Sequence, residues 1–244
     1  MKIDILTLFP EMFSGLNASI IKRAVDKGLA EIRIHDFREF SSDKNKRVDD
    51  YSYGGGAGMI ISVQPIVDCL RAIENFVSAK KILLAPTGKV YDQNKAFELS
   101  QYGHIILICG HYEGVDARIS NYIDEILSIG DYILTGGEIA AMAVVDSVVR
   151  LVPGVLGNEE SHHNESFSEM LLEFPQYTRP QEFEGQEVPG ILLSGDHEKI
   201  RRYRRFKSLE RTYLDRPDLF KKAKLTPEDY CFLEKIKRGE DYES

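Results

Sequence analysis

The sequence predicts an α/β fold with a parallel or mixed sheet, followed by a smaller helical domain. Apolar runs of four to eight residues, rich in Ile and Leu and bounded by Gly, recur through residues 1–138 as buried strands do. Between them apolar residues fall at helical spacing, so the repeated unit is strand, tight turn, helix. Beyond about Met170 the strand-like runs give way to helical patterns with clear start signals.

The first strand is KIDILTLFP, alternating Ile, Ile, Leu and Leu with smaller or polar residues and ending at Pro10, the first turn of a helix. Over 11–27 the residues Met12, Phe13, Leu16, Ile20, Ile21 and Ala24 keep helical spacing, and Gly28 sits where a C-terminal cap would. LAEIRIHDF is the second strand. Residues 38–59 are polar, then charged, then Gly-rich, with no periodicity, so they read as a long loop. Its run Gly54-Gly55-Gly56-Ala57-Gly58 has neither dinucleotide nor P-loop spacing, and suits a flexible turn or a substrate contact equally.

MIISVQPIVDCLRAIENF becomes a helix after Pro65, with Ile66, Cys69, Leu70 and Ile73 facing the core. KKILLAPTG is a strand ending in a Pro-Thr-Gly turn, and YDQNKAFELSQ a helix with Ala96, Phe97 and Leu99 as its apolar side. HIILICG is a buried strand, SNYIDEILSIG holds a shorter one, and the apolar DYIL run leads to the Gly136-Gly137 pair. Residues 139–151 are apolar almost all round, which demands burial against several neighbours, a second subunit among the candidates. Periodicity is lost over 152–170, a domain boundary. Ser194-Gly195-Asp196 then starts a helix over 197–215, and Leu225-Thr226-Pro227-Glu228 carries a capping signal before the last one.

The chain has 244 residues, ordinary globular composition and a formal net charge of −8. It has no apolar run long enough to span a bilayer and no secretory signal, which points to a cytoplasmic protein without membrane contact. Cys69, Cys109 and Cys231 are widely separated, so reduced, buried thiols are expected rather than a disulfide frame or a zinc site. The acidic total argues against nonspecific nucleic-acid binding, but KIRRYRRFK concentrates positive charge with aromatics interleaved. Such a run is either a solvated helix face, with Tyr203 and Phe206 packed inward, or a phosphate-binding patch. His162-His163 has no third ligand at a metal-binding spacing and reads as exposed loop.

The chemistry is expected at three turns: Ala85-Pro86-Thr87-Gly88, Gly110-His111-Tyr112-Glu113-Gly114, and Ile129-Gly130 with Gly136-Gly137. Gly at strand ends lets a ligand approach the backbone, whose N–H and C=O groups can read a purine edge, although the same pattern also serves plain tight turns.

Taken together, LFPEMF, DDYSYGGGAGM, CGHYEGVDAR, SIGDYILTGGE, DSVVRLVPGVLG, PQYTRP and SGDHEKIRRYR resemble, in order and over essentially the whole chain, the bacterial tRNA (guanine-37-N1)-methyltransferases of the SPOUT class. The resemblance implies an α/β methyltransferase domain with a deep trefoil knot over 1–160, a linker over 161–170 and a helical tRNA-binding domain over 171–244. It implies a homodimer acting on tRNA with guanosine at position 37. The donor, S-adenosylmethionine, would be held by Leu84, Pro86, Gly110, Glu113, Gly114, Ser128, Ile129, Gly130, Tyr132, Leu134, Gly136 and Gly137. Where the family often has Pro after the second Gly pair, this chain has Ala140. Lys46, Arg47, Arg201, Arg202, Arg205 and Lys207 would contact tRNA. Mg²⁺ is left open, with no recognisable protein site.

Guanine N1 carries a proton near neutral pH, so methylating it needs a base at N1 and a positive group near O6. By resemblance these are Glu165 and Arg150. Read without it, Glu165 is a solvated acid and Arg150 an ion-pair partner of Asp146. The family has Asp-Ser-Phe where this chain has Glu165-Ser166-Phe167, so the carboxylate stands one methylene further out. The expected activity is methylation of guanosine N1. A protein that binds RNA without catalysis, and a SPOUT enzyme acting on ribose or ribosomal RNA, are the alternatives.

Overall fold

The computed structural model describes residues 1–157, 166, 167 and 169–242. The chain divides into two compact units, Met1–Glu159 and Glu160–Ser244.

The first unit is built on five parallel strands: β1 (Lys2–Thr7), β2 (Glu31–Asp36), β5 (Lys80–Val90), β6 (His104–Cys109) and β7 (Glu125–Ser128), in the spatial order β2-β1-β6-β5-β7. Two-residue strands β3 (Asp49–Asp50) and β4 (Ile60–Ile61) pair antiparallel and pin the long loop. The period-2 alternation of β1 divides the core. Ile3 and Ile5 pack with Ile105, Leu107, Ile82 and Leu84 under the helices α1 (Ser19–Asp26) and α4 (Glu138–Val149). On the other face Leu6 joins Ile106, Ile108 and Leu83 beneath α2 (Val63–Ala72). The Ile105–Cys109 run is buried on both faces, the reason it reads as an unbroken apolar stretch.

Several expectations shift. The helix expected over 11–27 is a 3₁₀ helix, Pro10–Asn17, and then α1, separated by an extended Ala18. Gly15, Asn17 and Ser19 are weak helix formers in its middle, and the bend still buries Phe13 and Leu16. In α3 (Gln93–Ser100) Ala96 and Leu99 are buried, whereas Phe97 is 60% exposed. No strand forms over 129–137: β7 precedes it, and Ile133, 80% exposed, lies in an irregular turn. Cys69 and Cys109 are buried as expected, but Cys231 is exposed. Burial pushes the Cys69 thiol up to about 12, and burial together with the Glu138 charge pushes Cys109 well up, so neither is nucleophilic at neutral pH.

The second unit has a short hairpin, β8 (Glu182–Phe183) with β9 (Gln186–Glu187), and helices α5 (His197–Asp215), α6 (Pro217–Phe220) and α7 (Pro227–Arg238). Asp196 caps α5 by accepting from the Lys199 N–H, and Thr226 with Asp229 forms the capping box of α7. Leu171, Phe206, Leu209, Phe232 and Ile236 make its core, with the Phe206 and Phe232 rings edge-on at 5.6 Å.

Candidate functional site

Adjacency in the sheet decides where the turns meet. β6, β5 and β7 lie side by side and parallel, so the segments leaving their carboxyl ends emerge along one edge. That edge is where open α/β sheets place ligands. Leu84 stands opposite Cys109 at the end of the β5–β6 ladder, and the register of β5 against β7 jumps between Leu84 and Lys89, spilling Ala85–Gly88 out as a bulge. Pro86 is exposed on that bulge.

The Gly residues are required by close backbone approach. Gly137 donates its N–H to the Gly110 carbonyl at 2.8 Å, and a Cβ on Gly137 would lie 2.8 Å from Cys109 Cα and 3.0 Å from Gly110 N. Gly136 forms a bridge with His111. A Cβ on Gly88 would sit 2.5 Å from the Ile126–Leu127 peptide, which locks the first turn to β7. Glu113 donates its N–H to the Met59 carbonyl, and its side chain lies over Gly58, bringing the Gly-rich loop against the second turn. Gly114 donates to the His111 carbonyl and adopts φ +122°. In the third turn Ser128 Oγ donates to the Gly130 carbonyl at 3.0 Å, and the Tyr132 hydroxyl donates to the Ile129 carbonyl at 3.4 Å, its ring folded over Gly130. Leu134 is half-buried.

Of the residues expected around the donor, Leu84 and the four glycines at 110, 114, 136 and 137 therefore belong to one junction. Ser128, Ile129, Gly130 and Tyr132 form a separate cluster at the next strand end. The glycines let main chain approach main chain along this edge, leaving its N–H and C=O groups as the polar groups of the turns.

Sequence reasoning passed over three residues here. Glu138 is buried and accepts from the Thr7 hydroxyl at 2.8 Å, and His111 Nδ1 stands 3.9 Å from its other oxygen. The signal was the acid directly after the Gly pair, at the first position of a helix where a carboxylate suits the dipole. Arg150 is half-buried at the C-cap of α4, its N–H on the Asp146 carbonyl at 3.3 Å. Glu165 and His162-His163 lie outside the described residues. Among the described residues no group of His, Cys, Asp and Glu could hold a metal ion, and no helix is long and apolar enough to cross a membrane.

The basic helix α5 is more neutralised than its sequence suggests. Arg201 pairs with Glu198, Arg202 with Glu228 at 2.6 Å, and Lys207 with Glu210 and Asp241. Arg205 makes a two-pronged bond to buried Asp229 at 2.8 and 2.7 Å and also meets Glu169. Burial raises the Asp229 pKa, but the Arg205 guanidinium and the Thr226 N–H outweigh it and hold the carboxyl below its ordinary value. The charge run lacked acids only in one dimension. Arg204 has no carboxylate partner among the described residues and lies 4.8 Å over the Phe174 ring. It borders a cleft of about 830 Å³, shared with His197 and Lys224, and a second of about 500 Å³ lined by Tyr177 and Arg179. In the long loop Lys46 pairs with Glu39, and the Arg47 carbonyl accepts from Ser41.

The family model described as tRNA (Guanine-1)-methyltransferase TrmD matches residues 1–222. This chain belongs to that family. It is 54% identical over 239 residues to a tRNA (guanine-N(1)-)-methyltransferase of Dictyoglomus turgidum, covering 98% of this chain and 97% of that one. It is 56% identical to the protein of the same name from Clostridium novyi, over 96% and 97% of the two chains. The Staphylococcus carnosus protein of that name is 53% identical, over 98% of each.

Proposed function

We propose that this protein transfers the methyl group of S-adenosylmethionine to N1 of the guanosine at tRNA position 37, next to the anticodon. By family it is a tRNA guanine-N1 methyltransferase, an enzyme. The observation that carries the reading is the junction of Gly110, at the carboxyl end of β6, with Gly136 and Gly137, which lead into α4, in a chain of this family.

In this reading the first unit is a SPOUT domain with a deep trefoil knot, residues 161–170 link it to a helical tRNA-binding domain over 171–244, and the protein works in the cytoplasm as a homodimer. Large apolar side chains left in solvent on the first unit, Phe97 and Ile133 among them, support the dimer. Leu84, Gly110, Gly136 and Gly137 would hold the donor's adenosine end, with Pro86, Glu113, Gly114, Ser128, Ile129, Gly130, Tyr132 and Leu134 around it. When bound, the donor supplies an electrophilic methyl on a sulfonium.

The rest is done by side chains. Glu165 removes the N1 proton, and Arg150 offsets the charge that develops on O6. Glu165 is one methylene longer than the family's Asp, and its linker absorbs that difference. Phosphates of the tRNA meet Lys46, Arg47 and the α5 face. Arg204 joins Arg201, Arg202, Arg205 and Lys207 there, because it spends no charge on a carboxylate among the described residues.

The test is to incubate the protein with labelled donor and tRNA transcripts differing only at position 37, then locate the methyl by nuclease digestion and mass spectrometry. Label on guanine N1 only in the G37 transcript is the expected result. Label on a ribose, or binding of donor and tRNA without transfer, would sink the proposal.

A further inference from the structure

His111 opens the turn after β6, its ring 4.8 Å from Phe9 and edge-on to Tyr112 at 4.9 Å. Its Nδ1 is closed off from solvent and has no hydrogen-bond partner. Buried polar atoms are nearly always paired, so an orphan calls for a reason. Facing it at 3.9 Å is Oε2 of Glu138, a side chain with 2% exposure. The other Glu138 oxygen is held by the Thr7 hydroxyl at 2.8 Å, which fixes where the carboxylate points.

Gly136 passes between them. A Cβ there would fall 2.3 Å from Glu138 Oε2 and 2.4 Å from His111 Nδ1, so the glycine keeps the path between imidazole and carboxylate open. The gap exceeds a charge-assisted N–H···O bond, at about 2.7–2.9 Å, by about 1 Å. Hydrogen bonds of unliganded sites are often long and tighten in the complex.

We propose that His111 and Glu138 are positioning residues forming a clasp that closes when the donor fills the pocket. The closed clasp is an imidazolium–carboxylate pair that ties the turn after β6 to the start of α4. The inference rests on reading these turns as the methyl-donor site. The other titratable groups around His111 are Tyr112 and Glu113 in its own turn and Cys109 on β6, whose thiol is held up by burial and by Glu138. Thr7 and Phe9, which reach it from the end of β1, do not titrate in this range. Where the ring is neutral before binding, closure in the imidazolium form takes up a proton. Because the bound state favours the protonated ring, affinity rises as pH falls.

The experiment is calorimetric titration of the full-length protein with S-adenosylhomocysteine from pH 6 to pH 8.5, in buffers of different ionisation enthalpy so that protons are counted. The wild type is expected to take up a proton at pH 7.5 and to bind at least about tenfold more tightly at pH 6 than at pH 8, within the roughly hundredfold that one linked proton allows over two pH units. Glu138→Gln and His111→Phe are expected to bind about tenfold more weakly at pH 6 and to take up no proton. His111→Arg, a cation at every pH, should restore affinity and flatten the profile. Proton uptake is also read on the wild type and on Glu138→Gln, so a misfolded His111→Phe does not leave the question open. Binding without proton uptake in the wild type, or equal uptake in Glu138→Gln, overturns the clasp alone. Failure of the wild type to bind S-adenosylhomocysteine overturns the donor site and the clasp with it.

Discussion

Gly137→Ala isolates the claim that the site is built by backbone contact. Gly137 has φ −80°, a conformation alanine adopts freely, so the substitution carries no backbone strain and its effect is purely steric. The new Cβ would lie 2.8 Å from Cys109 Cα, and ordinary contact begins at 3.4 Å, so α4 and the end of β6 must part by about 0.6 Å. Both neighbours are main chain and cannot rotate away. Overpacking of this kind costs about 1–3 kcal/mol, or roughly 5 °C in melting temperature for a unit this size. The 2.8 Å Gly137–Gly110 hydrogen bond lengthens with the same movement. The turns of the proposed donor site are displaced, and affinity for S-adenosylhomocysteine should fall about tenfold, equivalent to about 1.4 kcal/mol. The assay is a thermal melt with calorimetric binding of S-adenosylhomocysteine. Gly103→Ala serves as the control, since nothing lies within 4 Å of its Cβ position. A Gly137→Ala protein that melts and binds like the wild type would refute the argument.

Arg150→Ala should lower turnover at least about 100-fold while donor affinity stays within about twofold, by single-turnover kinetics and calorimetry; matched losses would place Arg150 in the donor pocket. Arg204→Ala should weaken tRNA binding and lower the salt slope by about one unit, and an unchanged slope would remove it from the RNA surface. Asp229→Asn should cost the second unit about 1.5–3 kcal/mol at neutral pH, because it removes the two-pronged charged bond and leaves Arg205 with the exposed Glu169. The Asp229 pKa is depressed in the folded state, so its stabilising contribution is present above about pH 4 and fades as pH falls through the folded value. The difference between wild type and variant melts should therefore be smaller at pH 3 than at pH 7, and a constant difference would contradict the linkage.

What the sequence disclosed follows from the range of the interactions involved. The β6 run and α5 were legible because burial on both faces and a local Asp196 cap write themselves into neighbouring residues. The bend at Ala18 and the exposed Phe97 were not, since local periodicity does not record which side a neighbouring element covers. Gly136 and Gly137 signal a close approach without naming what approaches. Their partners, Gly110 and His111, lie some 26 residues away in sequence. Glu198 and Glu210 on α5 itself supply part of its neutralisation, but the other acids come from α7 and from residues near 169 and 241, beyond any local window. Arg204 was one of five similar cations in a row until those pairings set it apart.

The strand order also sets a schedule for synthesis. β1 is made before the other strands of its sheet and can pair with β2 as soon as residue 36 is made, yet its other neighbour is β6. Its second edge must wait until residues 104–108 have been made, and the core face above it waits for α4. Until then Ile3 and Ile5 lack most of their native cover, a state of incomplete packing that long-range parallel pairing prolongs. The apolar face of β1 is thus a stretch that a growing chain must shelter for about a hundred residues of elongation.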